Sequence, residues 1–411
     1  MGKMHKFGVL IFILSAFLAF PAWSEDLHTR EDVRAAYSDL TIRREISPYL
    51  VAPVTSGEYA PGTLSDEVLS DAEAYLEFIR YLAYIENDIS LDAIYTLRAQ
   101  HAAVLLAAND KLSHDPDRAP GMNDGFNHTA HTGAMSSNIA AINWMDNDVL
   151  IASLDYFVRD DGEANLSVLG HRRWLLNPYL GKTGFGLANS ETGMSYTAMY
   201  AHDFSNTPAP WETIKWPSEG AFPADLTSYD IPWSVTLNPE IYSSDLSSVT
   251  VSMYEQTRGN VSLSYFAVNT DPYGAGPCII FMPDLDAIGL ADYQQNQVWN
   301  VRVNGLLTAD GRHTSLEYTV NMVSLYPIDP SAVEVSPRAL AMDTGDVCQL
   351  TALIIPDWAD DVSAVWASDN ESVATVDANG LVTAVGEGKC KIPATSVNGR
   401  SDACTITVTA P

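Results

Sequence analysis

Basic side chains are scarce in this chain: Lys and Arg number 22 against 52 Asp and Glu, a formal charge of −30 at pH 7. So lopsided a balance argues against a nucleic-acid partner, because nothing could neutralise a run of phosphates. It also opposes docking on anionic lipid. The acidic excess is spread along the whole sequence, as expected of charge that serves solubility rather than one binding patch. Cysteine is nearly missing too, with only Cys278, Cys348, Cys390 and Cys404 present. The first two-thirds must therefore fold by packing alone, and without a CxxC pair neither a cysteine zinc site nor a redox motif is expected. The hydrolase signatures GxSxG and HExxH are absent, as is the phosphate-binding loop. Asp115, Asp117, Asp124, Asp160, Asp161 and Glu163 do not follow the spacing of a calcium loop.

Long apolar runs are missing beyond the N-terminus. There, Lys3 and Lys6 precede Phe7 to Phe20, which is apolar apart from Gly8 and Ser15. Ala22-Trp23-Ser24 supplies a small-x-small cleavage site, so residues 1–24 read as a signal peptide and the mature chain should start at Glu25. The apolar run is short for a membrane span. The expected product is secreted and extracellular, with no transmembrane anchor, and Thr409-Ala410-Pro411 shows no cell-wall sorting motif.

What is present suffices for real cores: 46% of the 411 residues are hydrophobic, and the length points to two or three domains. After an N-terminal extension (25–64), residues 65–207 begin with helical periodicity. Val68, Ala72, Tyr75, Leu76, Ile79 and Leu82 mark one helix, Ile94, Leu97, His101, Val104 and Leu105 a second, and Leu150, Leu154, Phe157 and Val158 a third. The polar stretch from Asn109 to Asn138 reads as a loop, and Met194, Tyr196, Ala198 and Tyr200 as an alternating strand. Prolines 208, 210, 217, 223 and 232 open a β-rich region over 208–330. A third region, 331–411, holds short strands and turns.

That third region resembles a bacterial Ig-like domain of group 2, through Val365-Trp366-Ala367-Ser368-Asp369-Asn370 and Asn379-Gly380-Leu381-Val382-Thr383-Ala384. The resemblance implies an extracellular spacer, sometimes adhesive. The first region resembles the CAP superfamily of cysteine-rich secretory, antigen and pathogenesis-related proteins. Three segments carry this: Ala99-Gln100-His101-Ala102, Leu112-Ser113-His114, and Gly170-His171-Arg172-Arg173-Trp174 followed by Gly184-Phe185-Gly186. It implies an α-β-α sandwich whose cleft holds His114 and His171 with two acids. One family acid is replaced, since the chain reads Ser136-Ser137-Asn138-Ile139-Ala140; Asp155 or Asp160 would supply the other. The expected class is thus a multidomain α+β chain, with an α-β-α sandwich followed by a β-sandwich and a small Ig-like β-sandwich.

The cleft residues expected are His114, His171, Ser137, Asn138, Asp155 and Asp160. Two neutral imidazoles could hold zinc or another divalent cation weakly; the alternative is a polar pair that pins loop backbone. His128 and His131 would add ligands if their loop folded over the cleft, and Arg172 and Arg173 would pair with Asp155, Asp160 or Asp161. Trp211, Trp216 and Trp233 suit either a sugar platform or a core. Strand parity aims Cys390 and Cys404 into the Ig-like core as a disulfide, with Cys348 the rival partner. The function expected is non-catalytic binding of a small ligand or cell-surface component. A metal-assisted hydrolase or peptidase is the alternative, and the missing acid at Ser137 weighs against it.

Overall fold

The computed structural model describes residues 27–40, 47–85, 89–143 and 149–410; the expected signal peptide lies outside them. Six helices are used below: α1 (Arg30–Ser38), α2 (Asp66–Leu82), α3 (Ala93–Asn109), α4 (Asp124–Met135), α5 (Val149–Arg159) and α6 (Gly170–Leu175). Local chemistry sets their starts. Ser65 accepts from Val68 N at the head of α2, Asp92 from Ile94 N and Tyr95 N at α3, and Asn123 from Phe126 N at α4. Helix α4 falls inside the stretch that reads as a loop.

A three-stranded antiparallel sheet stands among these helices, with Ser195–Tyr200 between Ser137–Ile142 and Phe185–Asn189. Helices α3 and α4 cover one face, where Ala99, Ala102, Ala103 and Ala130 pack with Ile139 and Ala198. On the other face α2 and α5 bring Leu76, Ile79, Leu154 and Phe157 to Ala140, Phe185 and Met199. All six residues of Ser195–Tyr200 are consequently buried, rather than every second one. Helix α3 lies very close to the sheet. A Cβ on Gly186 would sit 2.1 Å from the Ala99 carbonyl oxygen, so only glycine fits there.

The middle region pairs a four-stranded sheet (Leu263–Asn269, Cys278–Pro283, Trp233–Leu237, Thr213–Trp216) with a five-stranded one (Gly259–Val261, Thr250–Glu255, Val298–Leu307, His313–Val323, Gly220–Pro223). Trp216, Trp233 and Trp299 are fully buried in its core, with Trp233 and Trp299 in edge contact at 6.0 Å. Trp216 and Trp233 are therefore core residues and not a platform. The same apolar cluster runs on into α2 and α5. Arg172 seals that junction: its buried guanidinium donates to the carbonyls of Val158, Arg159 and Pro232 and to Ser234 Oγ. Arg172 and Arg173 thus bind carbonyls and a side-chain amide and hydroxyl, not the carboxylates expected for them.

The C-terminal strands enclose a separate core from Val333 to Val408, with Trp366 packed partly buried at its edge. The Asp377–Gly380 turn joins Ala374–Val376 to Leu381–Ala384, and Gly380 takes φ +82° there. Over the described residues, strand outweighs helix by 36% to 21%. The expected α+β class led by an α-β-α CAP-like sandwich is thus overturned: the molecule is mostly β. The excess comes from the two later regions, whose short alternating strands outnumber the helices of the first.

The expected Cys390–Cys404 disulfide is also corrected, since all four cysteines are free thiols. Cys390 and Cys404 do lie buried on adjacent strands, but Cys390 faces Ile406 and Cys404 faces Ile392. Such a diagonal pair stands roughly 7–8 Å apart, whereas a disulfide needs Cβ atoms about 3.5–4.5 Å apart.

Candidate functional site

His114 and His171 come together from two distant turns. Helix α3 ends where Asp110 adopts a left-handed conformation (φ 45°), and the chain then brings His114 to the end of α4. Its Nδ1 meets the Ala134 carbonyl at 2.9 Å. Leu169, with φ 49°, turns the chain into α6 and sets His171 in the first turn. The two ring centroids are 6.5 Å apart. Both imidazoles use Nδ1–H to donate, so a neutral ring leaves Nε2 bare.

His171 is the better-held ring. Its Nδ1 lies 2.9 Å from Asp160 Oδ1, with the Asn165 side-chain amide flanking at 3.2 Å. Phe157 stacks on it at 5.3 Å, and Asn138 Nδ2 donates to its carbonyl at 2.9 Å. Asp160 follows the last turn of α5 at φ 51°, a left-handed position that swings its side chain into full burial. Its second oxygen accepts from Arg172 N at 3.2 Å, so both oxygens are engaged.

Of the other expected residues, Asn138 belongs to this group and Ser137 neighbours it. Ser137 pairs with Tyr200 in the sheet, and its buried Oγ has no hydrogen-bond partner among the described residues. Asp155 does not belong. Two positions before Phe157 on a helix is a rotation of about 200°, and Asp155 instead accepts from Tyr75 OH of α2. Burial pushes its carboxyl up to about 6. His131 turns to Asp115, with Nε2 at 2.8 Å from Oδ1, and so is not a third cleft ligand.

The sequence reading missed His202 and Trp174. Their rings lie 4.4 Å apart, and His202 feels the charge of His114. Partial burial, with His114 second, holds the His202 imidazole below its usual value. The signal available was the Ala201-His202-Asp203 run straight after the strand at Tyr200.

This donor set does not suit a resident metal. Among the described residues no group of three or more His, Cys, Asp or Glu is placed to hold one. Two imidazoles fall short of the three protein ligands a catalytic zinc keeps, and Asp160 is already committed. No helix among the described residues is long and apolar enough to cross a membrane.

Comparison with known proteins identifies one part of the chain. Residues 331–408 match the family model of the bacterial Ig-like domain (group 2). No CAP family model matches, so the likeness over 65–207 rests on its three segments alone. A lacto-N-biosidase of Bifidobacterium bifidum is 47% identical over 75 residues, covering 18% of this chain and 7% of that protein. An alpha-L-arabinofuranosidase of Bifidobacterium longum subsp. longum is 29% identical over 164 residues, covering 37% of this chain and 15% of that protein. The chain therefore spans a small fraction of the relatives it matches. Among solved structures, tandem Ig repeats of Dlar align over 47% of this chain and 94% of theirs, at 11% identity and a TM-score of 0.16. The protein is multidomain and β-rich, with a bacterial Ig-like domain at residues 331–408.

Proposed function

We propose that this is a secreted binding protein that holds a small ligand or cell-surface component between His114 and His171, its β-rich regions serving as spacers. One observation carries the reading. Among the described residues the only carboxylate hydrogen-bonded to either imidazole is Asp160, which holds His171, and both its oxygens are spent on keeping His171 and α6 in place. A rigid imidazole with a bare Nε2 accepts a hydrogen bond from a ligand without further machinery, whereas a full acid–base set would call for a second acid, and no other carboxylate among the described residues is hydrogen-bonded to the pair. Ser137 offers a hydroxyl where an acid was expected. The Ig-like domain supports an extracellular setting, and the divisions at 65–207, 208–330 and 331–411 are proposed with it. Any divalent ion resting on the two imidazoles is weakly held, because two ligands fall short of a closed site.

A hydrolase is the second reading, favoured by the Asp160–His171 pair, which has the form of a base and its orienting group. Native mass spectrometry and a peptide-cleavage screen on the full chain separate the two. Binding predicts a retained small molecule, lost in His171→Ala, with no cleavage. Cleavage that disappears in both His114→Ala and His171→Ala would overturn it.

A further inference from the structure

A cavity of about 350 Å³ opens where the helical region meets the middle β region, walled by Trp174 and Phe204 on one side and the 270–277 loop on the other. Three aromatic side chains reach it. Phe204 is 59% exposed and Tyr273 37%, and Phe204 meets Trp174 edge-on at 5.9 Å. Rings left this open in a shared hollow mark a contact surface.

The loop that carries Tyr273 is braced from beneath. Arg173 donates to the carbonyls of Asp271 and Gly276, each at 2.8 Å, and to Asn269 Oδ1 at 2.6 Å. A Cβ on Gly274, which has φ +58°, would lie 2.2 Å from the Arg173 carbonyl oxygen, so glycine lets the loop sit this close. Tyr273 rests against Gly170, where an added Cβ would touch its ring at 3.4 Å, and the Arg173 guanidinium lies 5.5 Å from the ring centroid. The Tyr273 wall is thus preorganised, which lowers the ordering cost of binding.

We propose that this pocket is a saccharide site that takes one or two rings of a neutral sugar. A pyranose has apolar C–H faces that stack on aromatic rings and a rim of hydroxyls that needs polar partners. Trp174, Phe204 and Tyr273 supply the first, and Asp271, Thr270 and the backbone around Gly274 the second. Among the described residues no Leu, Ile, Val or Met lines the pocket, as an acyl chain or an amphipathic helix would require. Asp271 and the chain's −30 charge disfavour an anionic sugar. The volume is at the small end of ligand pockets. This site does not depend on the histidine cleft being a binding site.

The test uses cellobiose, maltose and N,N′-diacetylchitobiose on the full chain, read by saturation-transfer NMR and tryptophan fluorescence. At least one should bind in the millimolar range. Phe204→Ala and Tyr273→Ala, both at exposed rings that leave the core intact, should each weaken binding about three- to tenfold. Silence from all three sugars overturns the proposal, as does binding indifferent to both substitutions. Uptake of the apolar dye anilinonaphthalene sulfonate at Phe204, with no sugar bound, overturns it in favour of an apolar partner.

Discussion

Asp155 should make the stability of the helical core fall as pH rises, the reverse of the usual behaviour of a carboxylate. Its side chain is half-buried between α5 and α2 with Tyr75 OH as donor. Desolvation outweighs that bond and the attraction of Arg159, so the folded value rises from 3.8 to about 6. A raised folded value means the native state holds this proton more tightly than the unfolded chain does. The stabilising contribution is therefore fully present below about pH 4 and is lost as pH climbs through about 6. The difference between 3.8 and about 6 corresponds to about 3 kcal/mol. Asp155→Asn keeps an acceptor for Tyr75 and never ionises. It should match the native protein near pH 4 and exceed it by up to about 3 kcal/mol at pH 8. Urea unfolding at a series of pH values measures this. Tryptophan fluorescence is a fair reporter because Trp216, Trp233 and Trp299 share one core cluster with Phe157 and Leu154 of α5. A difference between the two proteins that does not change from pH 4 to pH 8 would refute the reasoning, as would a less stable Asn variant at pH 8.

Three further outcomes are expected. Arg172→Met should cost on the order of 3 kcal/mol, because it strands the carbonyls of Val158, Arg159 and Pro232 in a dry junction; urea titration with a loss of soluble yield checks it. Gly186→Ala should destabilise by about 1–3 kcal/mol, since its new Cβ drives α3 off the sheet, and far-ultraviolet thermal melts would show an unchanged midpoint if that packing were loose. Denatured, unreduced protein should titrate with four thiols per chain; a Cys390–Cys404 peptide in a non-reducing map would contradict the strand register.

Helices α2 and α5 were legible because their apolar stripes repeat at helical spacing, and the pairing of the Ig-like strands because an Asn-Gly turn sits between two Val-rich runs. Helix α4 was not, since Asp124–Met135 is built of Asn, His, Thr and Gly rather than strong helix formers. It is helical because Ala130 and Ala134 settle on the alanines of α3, and tertiary packing of that kind overrides local propensity. The histidine pair was legible from the order of segments that carry it, but its acid was not. Asp155 and Asp160 look equivalent on one apolar helix. Only the left-handed turn at Asp160 sends one carboxylate under His171, while the other stays on the face that meets Tyr75. The aromatic pocket lay further out of reach. Trp174, Phe204 and Tyr273 come from a helix, a post-strand segment and a β-region loop, and what joins them is Arg173, bonded to a loop about a hundred residues away. Periodicity reports which face of an element is buried. It says nothing about which ends of distant elements meet, and in this chain the candidate chemistry sits at those ends.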